Sequence, residues 1–245
     1  GNSSVVVAVI DDGVEEHQDM NTLLTGFTPA NNGDGTPDSN GDHGQACAGL
    51  IGALHNDIDA RGVAPQSSFF SINIFASNTS NADVATGVRW AAEQGGAHIT
   101  SNSWGYSTCQ DRAVEAVAEA FDWAAVNGRG GLGTVSLVAS GNDYGTCVGF
   151  PANLASVMAV GAVDGAGEIS VYSNQGPTLD ITAPSNTNNG VVFYHGIRTL
   201  DREGSAGYSS GTTTNSFGGT SAATPIAAGV AALILAVDPT LTKTQ

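Results

Sequence analysis

Three side chains that are far apart in the chain have the types a nucleophilic relay requires. Ser221 lies in residues 216–236, SFGGTSAATPIAAGVAALILA, between a glycine pair and a run of small apolar residues. His43 follows a polar, glycine-rich loop, and Asp11 ends a β-branched run. A hydroxyl is a poor nucleophile at its own pKa. It needs a base within hydrogen-bond reach, and a buried carboxylate to hold that base in one tautomer. A donor must also face the oxyanion that forms. Asn142, after Ser140-Gly141, offers a side-chain amide, and the backbone N–H of Ser221 offers a second donor. Each residue has a plainer reading when taken alone: an N-cap serine, a turn-forming Asp-Gly, a solvated histidine at a helix start. His43 and Cys47 are four residues apart, so a Cys–His pair or half of a zinc site competes. No second ligand pair stands at metal spacing, and Cys47 is flanked by small residues, as buried cysteines are.

The elements that must carry these groups can be read from the apolar pattern. Residues 4–10 (SVVVAVI) form a continuous apolar run, the mark of a strand buried on both faces of a parallel sheet. Further strands are predicted over 67–75, 98–101, 135–139 and 156–163, and helices over 43–56, 82–94, 112–127 and 222–236. Pro225 is placed in the first turn of the last helix, where its missing N–H costs nothing. Strands alternating with helices predict an α/β fold with a mostly parallel central sheet flanked by helices in three layers. In such sheets functional groups gather at the carboxyl ends of strands, where Asp11 and Asn142 fall. Residues 188–208 read as an excursion or hairpin on one edge.

In order and spacing, AVIDDGVEEHQDM, DHGQACAG, SNSWG, VASGN and GGTSAATPIAAGVAALIL resemble the subtilisin-like serine proteases over most of the chain. The resemblance implies a serine endopeptidase in which Asp11 orients, His43 is base and then acid, Ser221 attacks and Asn142 binds the oxyanion. It implies an acyl-enzyme intermediate and a peptide substrate bound as an added strand along residues 101–105, with Ser103, Trp104, Gly105, Gly141 and Gly149 at the substrate. The second acid, Asp12, and Trp104 resemble the kexin and furin branch, in which the extra carboxylate faces a basic side chain. That branch's acids in the first specificity pocket align with Thr108 and Val148, and a further one with Thr86. A broad first pocket is therefore expected, with a basic preference one residue earlier. A kexin-like processing protease specific for paired basic residues and a catalytically silent binding domain are the alternatives. An esterase of the α/β-hydrolase type requires G-x-S-x-G and the opposite residue order. The resemblance also implies a structural Ca²⁺ held by Asp19, Asn56 and the carbonyls of Leu54, Ile58 and Ala60, an oxygen-only set suited to that ion.

Composition narrows the partners. The 245 residues read as one domain, 1–245. Lys and Arg number 7 against 23 Asp and Glu, for a net charge of −16, which argues against phosphate-mediated nucleic-acid binding. The apolar run at 222–236 is shorter than a bilayer requires, so it reads as a core helix and no membrane insertion is expected. Of the three cysteines, Cys109 and Cys147 lie in polar loops and are a candidate disulfide. A secreted or periplasmic location is expected from that pair and the family. The first residues show no signal peptide and lead straight into a strand. This reads as a chain trimmed from a precursor, with a prodomain or C-terminal domain as candidate companions.

Overall fold

The computed structural model describes residues 5–39, 41–186 and 196–245. Six parallel strands form one sheet in the order β2-β1-β3-β4-β5-β6. They are β1 Val6–Asp11, β2 Ser68–Asn73, β3 Ile99–Asn102, β4 Val135–Ala139, β5 Met158–Val163 and β6 Ile181–Pro184. Helices α1 His43–Gly52 and α4 Thr220–Val237 pack on one face, and α2 Asn81–Glu93 and α3 Glu115–Asn127 on the other. The unbroken valine run of β1 follows from this arrangement. Val7 and Val9 enter the core beneath α1 and α4, while Ala8 and Ile10 enter the core with Phe70, Val88 and Phe121. The strand order reverses at β1, with β2 on one side and β3 on the other, and the carboxyl end of such a strand opens into a crevice.

Several expectations shift. The last helix begins at Thr220 with Gly219 as its N-cap, so Ser221 is its second residue and not the cap, and Pro225 is its sixth, beyond the first turn. α3 starts at Glu115 and not at Arg112, whose φ of 52° turns the chain and whose guanidinium binds Glu115 and Asp122. Residues 188–195 of the expected edge excursion lie outside the described residues. Of the remainder, β7 Ile197–Leu200 pairs antiparallel with β8 Thr213–Phe217, a strand beyond the expected range. At 18 residues, α4 is long and apolar enough to cross a membrane, although its sequence read as too short. Ala222, Ala223, Ala228 and Ala232 are buried, and the helix lies across β3 to β6, where small side chains allow a close approach.

Candidate functional site

The site forms where β1, β3, β4, α1 and α4 end or begin. Asp11, the last residue of β1, is 2% exposed. Its Oδ1 is 2.9 Å from Nδ1 of His43, the first residue of α1, and also accepts the Asp12 N–H at 2.9 Å. This bond fixes the imidazole tautomer and leaves Nε2 as the free nitrogen. The His43 ring packs edge-on against Phe217, with ring centroids 5.2 Å apart. Desolvation is the largest influence on this imidazole and opposes its charged form. Asp11 and, after it, Cys47 together outweigh it and hold the His43 pKa well above the ordinary value.

Cys47, one turn into α1, sits beneath this pair. Its Sγ lies 3.8 Å from Asp11 Oδ2, 3.8 Å from His43 Nδ1 and 3.7 Å from the Ser221 carbonyl. Burial pushes its pKa up, so it stays a thiol at neutral pH and is poorly suited to act as a nucleophile. Asp11, His43 and Cys47 have ligand atoms within 4.8 Å of one another, but no fourth ligand joins them among the described residues.

Ser221 opens α4. Pro225 has no N–H to donate to the Ser221 carbonyl four residues earlier. That carbonyl instead accepts the Ser103 hydroxyl at 2.9 Å, while the Ser221 hydroxyl donates to the Ser103 carbonyl at 3.4 Å. The two serines thus join the end of β3 to the start of α4. Among the described residues no hydrogen bond joins Ser221 to His43. Asn142, in the turn after β4, accepts the Thr220 N–H and hydroxyl through Oδ1 at 2.8 and 2.9 Å. The oxygen is thereby assigned, and Nδ2 and the Ser221 N–H remain two donors without a partner among the described residues. Gly219 makes this approach possible: its φ is +74°, and a Cβ there would lie 3.1 Å from Asn142 Nδ2.

Two cavities flank the serine and histidine. One, of about 160 Å³, is lined by Ser103, Gly105, Gly141, Asn142, Gly149 and Ser221, with Asp143 at its edge. The other, of about 560 Å³, is lined by His43, Trp104, Asp11, Asp12 and Asp38 and, among the described residues, by no Lys or Arg. Val148 is instead buried in the core, and neither it nor Thr108 lines the smaller cavity. Thr86 is exposed on α2. Asp12 reaches the larger cavity, but both of its oxygens are engaged by backbone N–H groups at the start of α1. Cys109 and Cys147 are disulfide-bonded. The sequence reading missed Thr220, which orients Asn142, and Asn186, whose Oδ1 accepts the Gly219 N–H at 2.9 Å. The Gly-Thr-Ser string was a usable signal for Thr220; nothing in the local sequence marked Asn186.

The proposed calcium residues do lie together. Asp19 is fully buried, with no ion-pair partner among the described residues, and a buried carboxylate in that state calls for a cation. Its Oδ1 accepts Asn56 Nδ2 at 2.8 Å and its Oδ2 the Ala60 N–H at 3.0 Å, while Asn56 Oδ1 accepts the Ile58 N–H at 2.9 Å. The carbonyls of Leu54, Ile58 and Ala60 accept no hydrogen bond among the described residues. These hard oxygen donors fit Ca²⁺, except that Asn56 turns its nitrogen toward Asp19. Asp59, in the same loop, accepts from the Thr212 hydroxyl and from Gln18 Nε2.

Comparison with known proteins bears on the family and the fold. The sequence profile of the Subtilase family matches residues 2–245. Alkaline elastase YaB of Bacillus sp. (strain YaB) is 36% identical over 99% of this chain and 57% of its own length. Calcium-dependent protease of Nostoc sp. is 36% identical over 98% of this chain and 40% of its own length. The chain thus spans about half the length of these relatives. Among solved structures, the self-cleaved protease domain of PatA superimposes with a TM-score of 0.75 at 28% identity, over 99% of this chain and 84% of that one. With a profile match running from residue 2 to residue 245, the chain belongs to the subtilase family of subtilisin-like serine proteases.

Proposed function

We infer that this chain is a serine endopeptidase working through Asp11, His43 and Ser221. With a peptide bound as a strand along 101–105, Ser221 leaves the Ser103 carbonyl and donates to Nε2 of His43. Oγ attacks the scissile carbonyl as His43 takes its proton. Asn142 Nδ2 and the Ser221 N–H stabilise the oxyanion. The imidazolium, steadied by Asp11, then protonates the leaving amine, and water hydrolyses the acyl-enzyme by the same steps. The observation that carries this reading is a carboxylate-held imidazole near a helix-start serine, with two donors at that serine that have no partner among the described residues. A fluorophosphonate probe should label Ser221 and fail to label Ser221→Ala; labelling at Cys47 instead would overturn the reading.

In this reading the smaller cavity takes a broad range of side chains before the scissile bond, with Gly105, Gly141 and Gly149 among the residues that line it. The acid-lined larger cavity favours Lys or Arg one residue earlier. Strict paired-basic cleavage is disfavoured, since the kexin acids are replaced by a core valine and by Thr108. The loop of Asp19, Leu54, Asn56, Ile58 and Ala60 holds a structural Ca²⁺ in this reading. The protein works in an oxidising compartment, secreted or periplasmic, which the disulfide supports. A prodomain or C-terminal domain is a proposed companion.

A further inference from the structure

We propose that Asp12 is a positioning residue for His43, clamping the first turn of α1 from the end of β1. This rests on the protease reading above for its kinetic consequences, though not for its geometry. A helix start leaves N–H groups without partners, and a nearby side chain usually satisfies them. The N-cap of α1 is Asp42, yet its own side chain makes no capping bond. Asp12 does so from 30 residues away. Its Oδ2 accepts the Asp42 and His43 N–H groups, each at 3.1 Å, and its Oδ1 the Gly44 N–H at 2.6 Å. A carboxylate on these groups also gains from the positive end of the helix dipole. Gly44 is the residue that permits this contact. A Cβ there would lie 2.4 Å from the Gly13 carbonyl and 3.0 Å from Asp12 Oδ1.

The two neighbouring acids therefore divide the work. Asp11 holds the ring of His43 through Nδ1, and Asp12 holds its backbone. The ring's own contacts are Asp11 at Nδ1, Cys47 Sγ at 3.8 Å and the edge of Phe217, and the direction of Nε2 depends as well on where α1 begins. Burial and the neighbouring Asp11 push the Asp12 pKa up, while Gly44, His43 N–H and the imidazole pull it down. Other titratable groups near it include Asp42, whose N–H it accepts, Tyr208, and Asp38, which lines the same cavity. An acid at this position that only read substrate would keep its oxygens free.

The test compares Asp12→Ala and Asp12→Asn with wild type on two peptides differing only in Lys or Ala at the second residue before the bond. For Asp12→Ala the expected result is a kcat lower by about 10- to 100-fold on both peptides, with KM little changed. Asp12→Asn keeps one acceptor and should recover part of this loss. Loss of the carboxylate charge should also move the acid limb of the pH profile to lower pH, since one anion near the imidazolium is gone. A loss confined to the Lys peptide and to its KM would overturn the proposal and make Asp12 a substrate reader. If wild type neither cleaves peptide nor takes the fluorophosphonate, the protease reading fails, and NMR titration of His43 still decides. An unchanged His43 titration in both variants would then refute the clamp.

Discussion

At the scale of single residues, the site is a set of polar groups each committed elsewhere except at one atom. Asn142 gives its oxygen to Thr220 and keeps Nδ2 free. Replacing Asn142 with Ala should lower kcat by about 10²–10³, the range for such a donor in a subtilisin, with KM nearly unchanged. Thr220→Val should give a smaller loss of the same kind, because the amide oxygen then keeps the Thr220 N–H but loses the hydroxyl, its second anchor. His43 supports a pH prediction. Its pKa is raised, and the base must be neutral to act, so the acid limb of kcat/KM should fall above the ordinary value of about 6.5. The stability sign is opposite to the activity sign. A folded pKa above the unfolded one adds stability below about pH 6.5 and loses it as pH rises through the folded value. Thermal melts of wild type and His43→Ala should therefore differ more near pH 5 than near pH 9.

At the scale of elements, the sequence made five of the six strands and the four helices of the sandwich visible and their joints less so. β4 was legible to the residue, because a five-residue apolar strand ends at once in Ser-Gly. β6 was not foreseen: Ile181 and Thr182 are exposed on an edge strand, so no apolar run marks it. The start of α4 lies at Thr220, ahead of the expected Ala222, because Pro225 argued for a first-turn position that it does not hold. Its function is instead to leave the Ser221 carbonyl open to Ser103. Pro225→Ala should restore a helix N–H there and compete with the Ser103 hydroxyl. A proline in a helix interior costs up to about 3 kcal/mol, so the variant should melt at or above wild type and yet turn over more slowly. A lower Tm with unchanged kcat would show that the proline serves packing alone. The Asp12 clamp was hidden for a related reason. A doubled acid in sequence suggests two charges facing substrate, whereas the partners of Asp12 lie 30 residues away on α1.

At the scale of the whole molecule, charge dominates. Seven cationic residues oppose 23 acidic ones, and Lys243 is the only lysine. Several arginines are already neutralised, Arg112 by Glu115 and Asp122, Arg202 by Glu15 and Arg89 by Glu93. The surface therefore carries a strongly negative field with few local sinks. Such a field raises the local concentration of cationic ligands and repels the chain from itself. Both effects are screened over about 10 Å at 0.1 M salt, but they have opposite consequences. Added salt should raise the melting temperature by relieving self-repulsion. It should also lower kcat/KM for a lysine-rich peptide while sparing a neutral one of equal length. Ca²⁺ should act beyond this general screening. Binding at the Asp19 loop stabilises by mass action, so micromolar to millimolar Ca²⁺ should raise Tm more than Mg²⁺ at equal ionic strength. Asp19→Asn should abolish that difference while leaving the response to NaCl intact. If Ca²⁺ and Mg²⁺ shift the wild-type melt equally, the loop holds no specific ion and charge screening accounts for the whole effect.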